Sequence, residues 1–328
     1  MVESRTGPYV SECFGMTESR PSFLKVCFIT IRPFALPAST MPVIFGSIAA
    51  AVVGGVKLNY FLFVLSLFNM VVLHSGANLL SDVNDYKKGL DKVPTPVSGA
   101  IVRGYIKPQS GLIASAGLIA VGFCIGLYLV YRVGLPLLVI GVTGILIGIF
   151  YTLEPFALKY HALGDFAVFL DFGILGALGA WIVQTGRLSW VPAVWATPMS
   201  LLVVAIVHAN NWRDVQGDSK SRIYTVASIL GDRGSFFYYC FLIFGAFGVI
   251  VLLVLFSLLI PSFNPKMPYT FLMIFASFPL ALRLVRQGGR RKEQAGLRQF
   301  VTLDAGTSLL GLFFGLLSTA SLIIYLII

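Results

Sequence analysis

The sequence predicts an all-α, polytopic membrane protein with nine transmembrane helices and a cytoplasmic cap of loops and short helices. Three observations carry that prediction. Of the 328 residues, 57% are apolar and only 12% charged, with a mean hydropathy of +0.87, whereas an ordinary soluble domain carries about 25% charged residues. The apolar residues fall in runs of about 20, the length a helix needs to cross a bilayer. The basic residues are concentrated in alternate connections between those runs. A soluble enzyme, a disordered chain and a nucleic-acid binder are poor fits to this composition.

Taken in order, residues 1–22 are polar and lack the apolar core of a cleavable signal. They predict a mobile N-terminal tail ahead of a single transmembrane domain over 23–328. Apolar runs then place spans near 34–56, 59–81, 110–131, 135–151, 162–184, 189–210, 235–260, 268–285 and 304–327. The first follows Arg32-Pro33, and its Pro37 and Pro42 predict an irregular or kinked start. The last ends in SLIIYLII with no polar tail. Cys13, Cys27, Cys124 and Cys240 are scattered, with no pairing or metal-ligand spacing.

Nine spans put the termini on opposite sides. Of the 24 basic residues, 20 then fall on the N-terminal side, and only Lys57, Arg132, Arg187 and Lys266 on the other. The positive-inside rule makes the N-terminus cytoplasmic. The net charge of +10 is therefore topological and needs no nucleic-acid partner. All 14 acids lie in cytoplasmic segments, at cytoplasmic helix ends or, for Asp171, within a span. The connections about 82–109 and 211–234 are the long polar ones, and long loops are usually functional. The working face is predicted to be cytoplasmic.

Two segments on that face carry chemistry. The second span runs out through His74, Asn78, Asp82, Asp85 and Asp91, the sixth through His208, Asn210, Asn211, Arg213, Asp214, Asp218 and Lys220. On a helix, Asn78, Asp82 and Asp85 fall within about 60° of one another. Asn210, Asp214 and Asp218, spaced i, i+4, i+8, likewise share a face. Clustered carboxylates repel and resist desolvation unless a cation lies between them. Mg²⁺ suits such oxygen ligands and leaves positions for phosphate oxygens. Lys87, Lys88, Lys92, Arg103, Arg213, Lys220 and Arg222 are placed for a phosphate or diphosphate. The plainer alternative is a pair of solvated helix ends with Asp beside Lys.

With these residues the chain resembles the UbiA superfamily of intramembrane aromatic prenyltransferases. The branch most similar acts on 1,4-dihydroxy-2-naphthoate in menaquinone biosynthesis. Stretches fitting that branch are IRPFALPAS, NLLSDVNDYKKGLD, SGAIVRG, YTLEPFALKYHALGD, WIVQTG and NNWRDVQGDSKSRIYTVASILG, spread over about residues 31–231. The resemblance implies two Mg²⁺ ions and a polyprenyl diphosphate held by Asn78, Asp82, Asp85, Asp214 and Asp218, with Asn210 and Asp91 as neighbours. It also implies substrate contacts for Arg32, Tyr151, Lys159 and Asn211 beside the basic residues already named. Ser81 departs from the branch's Asn before the first Asp, and Arg222-Ile-Tyr-Thr225 from its Gly-Lys/Arg-x-Thr order.

Other candidates keep two readings. Arg32 either meets substrate headgroups or snorkels at the interface. Lys159 is either a diphosphate contact or an orientation anchor. Asp165 either matches an acidic family position or complements a helix N-terminus. Asp171 is an intramembrane acid and so a functional candidate, with no role implied by the resemblance. His74 and His208 read as packing or hydrogen-bonding groups ahead of catalysis. Tyr86, Tyr151, Trp212 and Tyr224 could shield an allylic cation with their ring faces. The implied reaction is loss of diphosphate, attack on the allylic cation by the naphthoate ring, then loss of carbon dioxide and a proton to give a demethylmenaquinone. The rivals are another acceptor (4-hydroxybenzoate, a chlorophyll precursor, haem or a lipid) or a membrane transporter. Transporter sites lie near the midplane, whereas these acids cluster at one face.

Overall fold

The computed structural model describes residues 21–90, 99–220, 223–291 and 300–328. The predicted tail, apart from its last two residues, lies outside them. Among the described residues the chain is helical, with one isolated bridge between His161 and Tyr224 and no strand.

A short helix α1 (Phe23–Ile31) begins at Ser22, whose hydroxyl accepts the Lys25 N–H. It stops at Arg32, which takes a left-handed conformation (φ 53°). The residue before a proline is driven out of the right-handed helical region, so Pro33 ends α1 and turns the chain. After one tight turn, Pro33–Ala35, the helix α2 (Pro37–Val52) leaves at 60° to the first part. The bend falls at Leu36, between Phe23–Ala35 and Pro37–Val52, at the kinked start that Pro37 predicts.

The remaining helices are α3 (Tyr60–Lys87), α4 (Pro108–Val133), α5 (Leu135–Phe150), α6 (Gly164–Thr185), α7 (Val191–Lys220), α8 (Val226–Leu259), α9 (Tyr269–Gly289) and α10 (Leu303–Ile327). Asn59 caps α3 by accepting the Leu62 N–H. Thr225 and Ser228 cap α8 reciprocally. Helix α6 carries a π-helical stretch, Phe169–Leu175, at its centre.

Seven of these, α3, α4 and α6 to α10, are long and apolar enough to cross a bilayer, and the bent α1–α2 pair passes as a broken eighth. Helix α5 is apolar but only 16 residues long. The chain is an integral membrane protein. Its surface agrees: Phe61, Val64, Phe237, Leu258 and Leu259 are exposed, and apolar area of that extent needs lipid to cover it.

Inside, α2 packs on α6 and α10, α3 on α4, and α7 on α8, α10 and the π stretch. Phe45, Trp195 and Phe271 meet edge to face at 5.6–6.1 Å. At Gly46 an added Cβ would lie 2.1 Å from the Ala177 carbonyl oxygen, so α2 and α6 touch backbone to backbone, as small residues permit in membranes.

Two boundaries correct the sequence reading. Residues 82–87, 211–220 and 226–234, assigned there to long loops, are helical, the last with a kink at Gly231 (φ 62°). Helix hydrogen bonds do not stop where lipid stops, and the Thr225–Ser228 cap starts α8 before its apolar run. The Asp-bearing segments are consequently extensions of rigid helices.

Candidate active site

At one end of the bundle, acidic and basic side chains alternate around a cavity of about 930 Å³, including its open mouth. Helix α3 contributes Asn78 and Ser81 to the lining, and α7 contributes Asn210 and Asn211. Arg32, His74, Tyr151, Lys159, Asp171 and Asp304 complete its polar part. The left-handed turn at Arg32 aims that guanidinium at the end of α3.

Asp82 is 2% exposed and bonds through Oδ1 to Arg32, while its Oδ2 is buried with no hydrogen-bond partner. One turn on, Asp85 accepts from Lys159 Nζ at 2.7 Å, Tyr160 hydroxyl at 2.9 Å and Ser81 Oγ at 3.1 Å. The unusual Ser81 thus orients the second motif carboxylate. Lys88 lies over the Tyr160 ring, 4.6 Å from its centre, and pairs with Glu154 at 2.8 Å. Its ammonium holds the Glu154 carboxyl below the usual range.

On α7, Arg213 is the organiser. It donates to both oxygens of Asp214 at 3.1 Å, to Asp304 at 2.8 Å and to Asn210 at 2.6 Å. Asp304 is buried in the first turn of α10. Asp82, Asp85 and Asp214 are therefore each held by a cation of the chain. Among the described residues no three acid, His or Cys side chains stand together as a ready ligand set. The donor chemistry nevertheless suits a hard cation: carboxylate oxygens with an unpartnered buried Asp82 Oδ2 among them.

Of the expected site residues, Arg32, Asn78, Tyr151, Lys159, Asn210 and Asn211 line the cavity. Asp82, Asp85 and Arg213 stand one contact behind it, and Asp214 one further, behind Arg213. Lys88 and Arg103 are not among its lining residues. Asp218 and Lys220 lie on the last turns of α7, and Asp91, Lys92 and Arg222 fall outside the described residues.

Three aromatic expectations are corrected. Trp212 is 1% exposed and packs on Phe300 with its indole N–H on Asp232, while Tyr86 and Tyr224 are exposed away from the cavity. The Trp212 ring is directed by long-range packing that helical spacing cannot reveal. His74 shares a 2.7 Å hydrogen bond with Ser39 and lies against Phe172. His208 and Asp165 are buried together, Nδ1 to Oδ2 at 3.6 Å. Tyr160 and Asp304 were not found by sequence reasoning. The one available signal for Asp304 was an acid opening an apolar helix.

Behind the polar cavity a second chamber, about 880 Å³, is lined by residues such as Val43, Leu73, Ile119, Leu129, Ile140 and Val183. The two share Ala77, Gly148, Asp171 and Phe172. A charged head at one end and an apolar sleeve at the other define a site for an amphiphile.

Comparison with known proteins names that class. The family model of the UbiA prenyltransferase family matches residues 39–303, and the chain belongs to that family of enzymes. The UbiA prenyltransferase domain-containing protein 1 of Gallus gallus is 32% identical over 294 residues, 87% of this chain and 84% of that one. The 1,4-dihydroxy-2-naphthoate octaprenyltransferase of Bacillus subtilis (strain 168) is 27% identical over 294 residues, 89% and 90% of the two chains. In fold, the chain is similar to a UbiA homologue from Archaeoglobus fulgidus solved bound to GPP and Mg²⁺, with a TM-score of 0.56 and 13% identity over 90% of this chain and 99% of that one.

Proposed function

We propose that this protein transfers a polyprenyl group from its diphosphate to an aromatic acceptor, 1,4-dihydroxy-2-naphthoate, with decarboxylation to the hydroquinone form of a demethylmenaquinone. The observation that carries the reading is the junction of a charged cavity, flanked by both Asp-bearing helices, with an apolar chamber. The Bacillus relative's acceptor and the SGAIVRG and YTLEPFALKYHALGD stretches favour the naphthoate.

The diphosphate lies among Arg32, Lys159 and Arg213, whose charges neutralise it. Asn78, Asp82 and Asp85 from α3, and Asp214 and Asp218 from α7, would hold two Mg²⁺ ions, as Mg²⁺ accompanies GPP in the archaeal homologue. Bound there, the metal supplies charge stabilisation to the departing diphosphate. Arg32 and Lys159, relieved of the carboxylates, turn to phosphate oxygens. Asn210, fixed by Arg213, and Asn78 orient the head. The apolar wall keeps water from the allylic cation, and the Tyr151 ring faces it.

This reading counts nine crossings, with the broken α1–α2 pair as the first and α5 as the fourth, and by the positive-inside rule assigns the N-terminus and the site to the cytoplasmic face of the inner membrane. The tail reaches the acceptor from the bilayer, and the charged head from the cytoplasm.

Purified protein with Mg²⁺, a prenyl diphosphate and a panel of aromatic acceptors tests this directly. Product is expected with the naphthoate. Asp82→Ala and Asp214→Ala are expected to lose at least about 100-fold in turnover, the scale of removing preorganised charge stabilisation. Full Mg²⁺-dependent turnover in both would sink the two-motif mechanism.

A further inference from the structure

Asp171 is a carboxyl that the mechanism above does not use. It lies in the π-helical stretch of α6 and lines both cavities. Of the four residues shared by the two, it alone has a polar side chain. It has no hydrogen-bond or ion-pair partner among the described residues. Two glycines set its position. A Cβ on Gly173 would lie 2.0 Å from Ser200 Oγ, so the π turn is seated hard against α7. On the opposite side, a Cβ on Gly144 of α5 would lie 2.8 Å from Asp171 Oδ1. The bulge thus has a fixed rotation, and α5 leaves space for the carboxyl. The charged or titratable groups lining the head cavity with it are Arg32, His74, Tyr151, Lys159 and Asp304.

A carboxyl with no partner in an apolar wall is costly and calls for a ligand group to face it. Where the charged cavity meets the apolar chamber, an isoprenyl diphosphate changes from head to tail, and its reacting carbon lies there. An aromatic ring attacking that carbon must lie beside the same wall. Resting on the aromatic-acceptor reading, we infer that Asp171 engages the acceptor's ring hydroxyl and takes up its proton as the ring attacks.

The proton count closes. The hydroxyl proton passes to the Asp171 carboxylate, and the ring's electrons form the carbon–carbon bond as the carbon–oxygen bond to diphosphate breaks. The ring oxygen is then a ketone and the attacked carbon bears the carboxylate. Loss of carbon dioxide returns an electron pair to the ring oxygen, which recovers the proton from Asp171.

The test compares wild type, Asp171→Asn and Gly144→Ala, each as full-length protein in lipid nanodiscs. Each is given Mg²⁺, a prenyl diphosphate and either the dihydroxynaphthoate or its ring methyl ether. Asp171→Asn should bind the prenyl diphosphate as wild type does, yet lose about 100-fold or more in kcat with the free hydroxyl. With the methyl ether, which offers no proton, the two proteins should turn over alike. Gly144→Ala, pressing a methyl on the carboxyl, should raise the acceptor KM several-fold, well beyond any change in prenyl diphosphate binding at the chamber wall it shares. This decides the matter if Asp171→Asn fails to fold. Wild-type rates in both variants, loss of diphosphate binding in Asp171→Asn, or an equal defect with the ether would overturn the inference alone. If wild type prenylates no aromatic acceptor, the functional reading itself fails.

Discussion

Asp82 and Asp85 lie less than a turn apart on α3, yet their environments differ. Asp85 has three donors; Asp82 has Arg32 and one oxygen left without a partner. Removing a partner from a buried ion pair leaves an uncompensated charge, so Arg32 both steadies Asp82 and competes with any cation for it. Arg32→Gln should weaken prenyl diphosphate binding by about 10-fold, the worth of one charge-assisted hydrogen bond. The same variant should keep or tighten Mn²⁺ binding, read by electron paramagnetic resonance as a Mg²⁺ substitute. Parallel loss of both would show that Arg32 serves only to hold the fold.

The helices matter here for what they carry past the lipid. Helix α7 keeps its register to Lys220, and a cluster at its end fixes its direction. Trp212 donates to Asp232 at 2.9 Å, and Arg291 pairs with the same carboxylate at 2.5 Å while lying over the Phe300 and Trp212 rings. This joins the ends of α7 and α9 to the start of α8. Trp212→Ala should lower stability by about 3–5 kcal/mol, as for other buried Trp truncations, measured by thermal unfolding in detergent. Trp212→Phe keeps most of the packing and should lose only about 0.5–1.5 kcal/mol, the net worth of one hydrogen bond, because the partly exposed Asp232 keeps Arg291 and water. Equal losses in the two variants would mean that packing is not the main contribution.

Over the whole molecule, charge distribution and cavity shape point the same way. Basic side chains and acids share one end, where the polar cavity opens, and the exposed apolar residues clothe the flanks. On a cysteine-free background, Lys57→Cys and Arg187→Cys should react with a membrane-impermeant thiol reagent from outside intact cells. Lys88→Cys and Arg290→Cys should react only after lysis. Labelling of Arg187→Cys only after lysis, with Lys57→Cys still labelled from outside, would remove α5 from the crossings and refute the count of nine.

By itself the sequence determined the helical membrane class, the order of the apolar runs and the two Asp-bearing faces. Those follow from composition and from a 3.6-residue period, and both are local. The spacing of Asn78, Asp82 and Asp85 was legible for that reason, and so was that of Asn210 and Asp214. What each carboxylate touches was not: Tyr160 is 75 residues from Asp85, and Asp304 is 91 from Arg213. Sequence spacing likewise gave no sign that Trp212 turns away from the cavity or that Asp171 stands at the meeting of two chambers. Those placements depend on which helices pack together and on a π turn seated by Gly173 against Ser200. Only the tertiary structure decided them, because side-chain direction at a helix contact is set by the neighbour it meets.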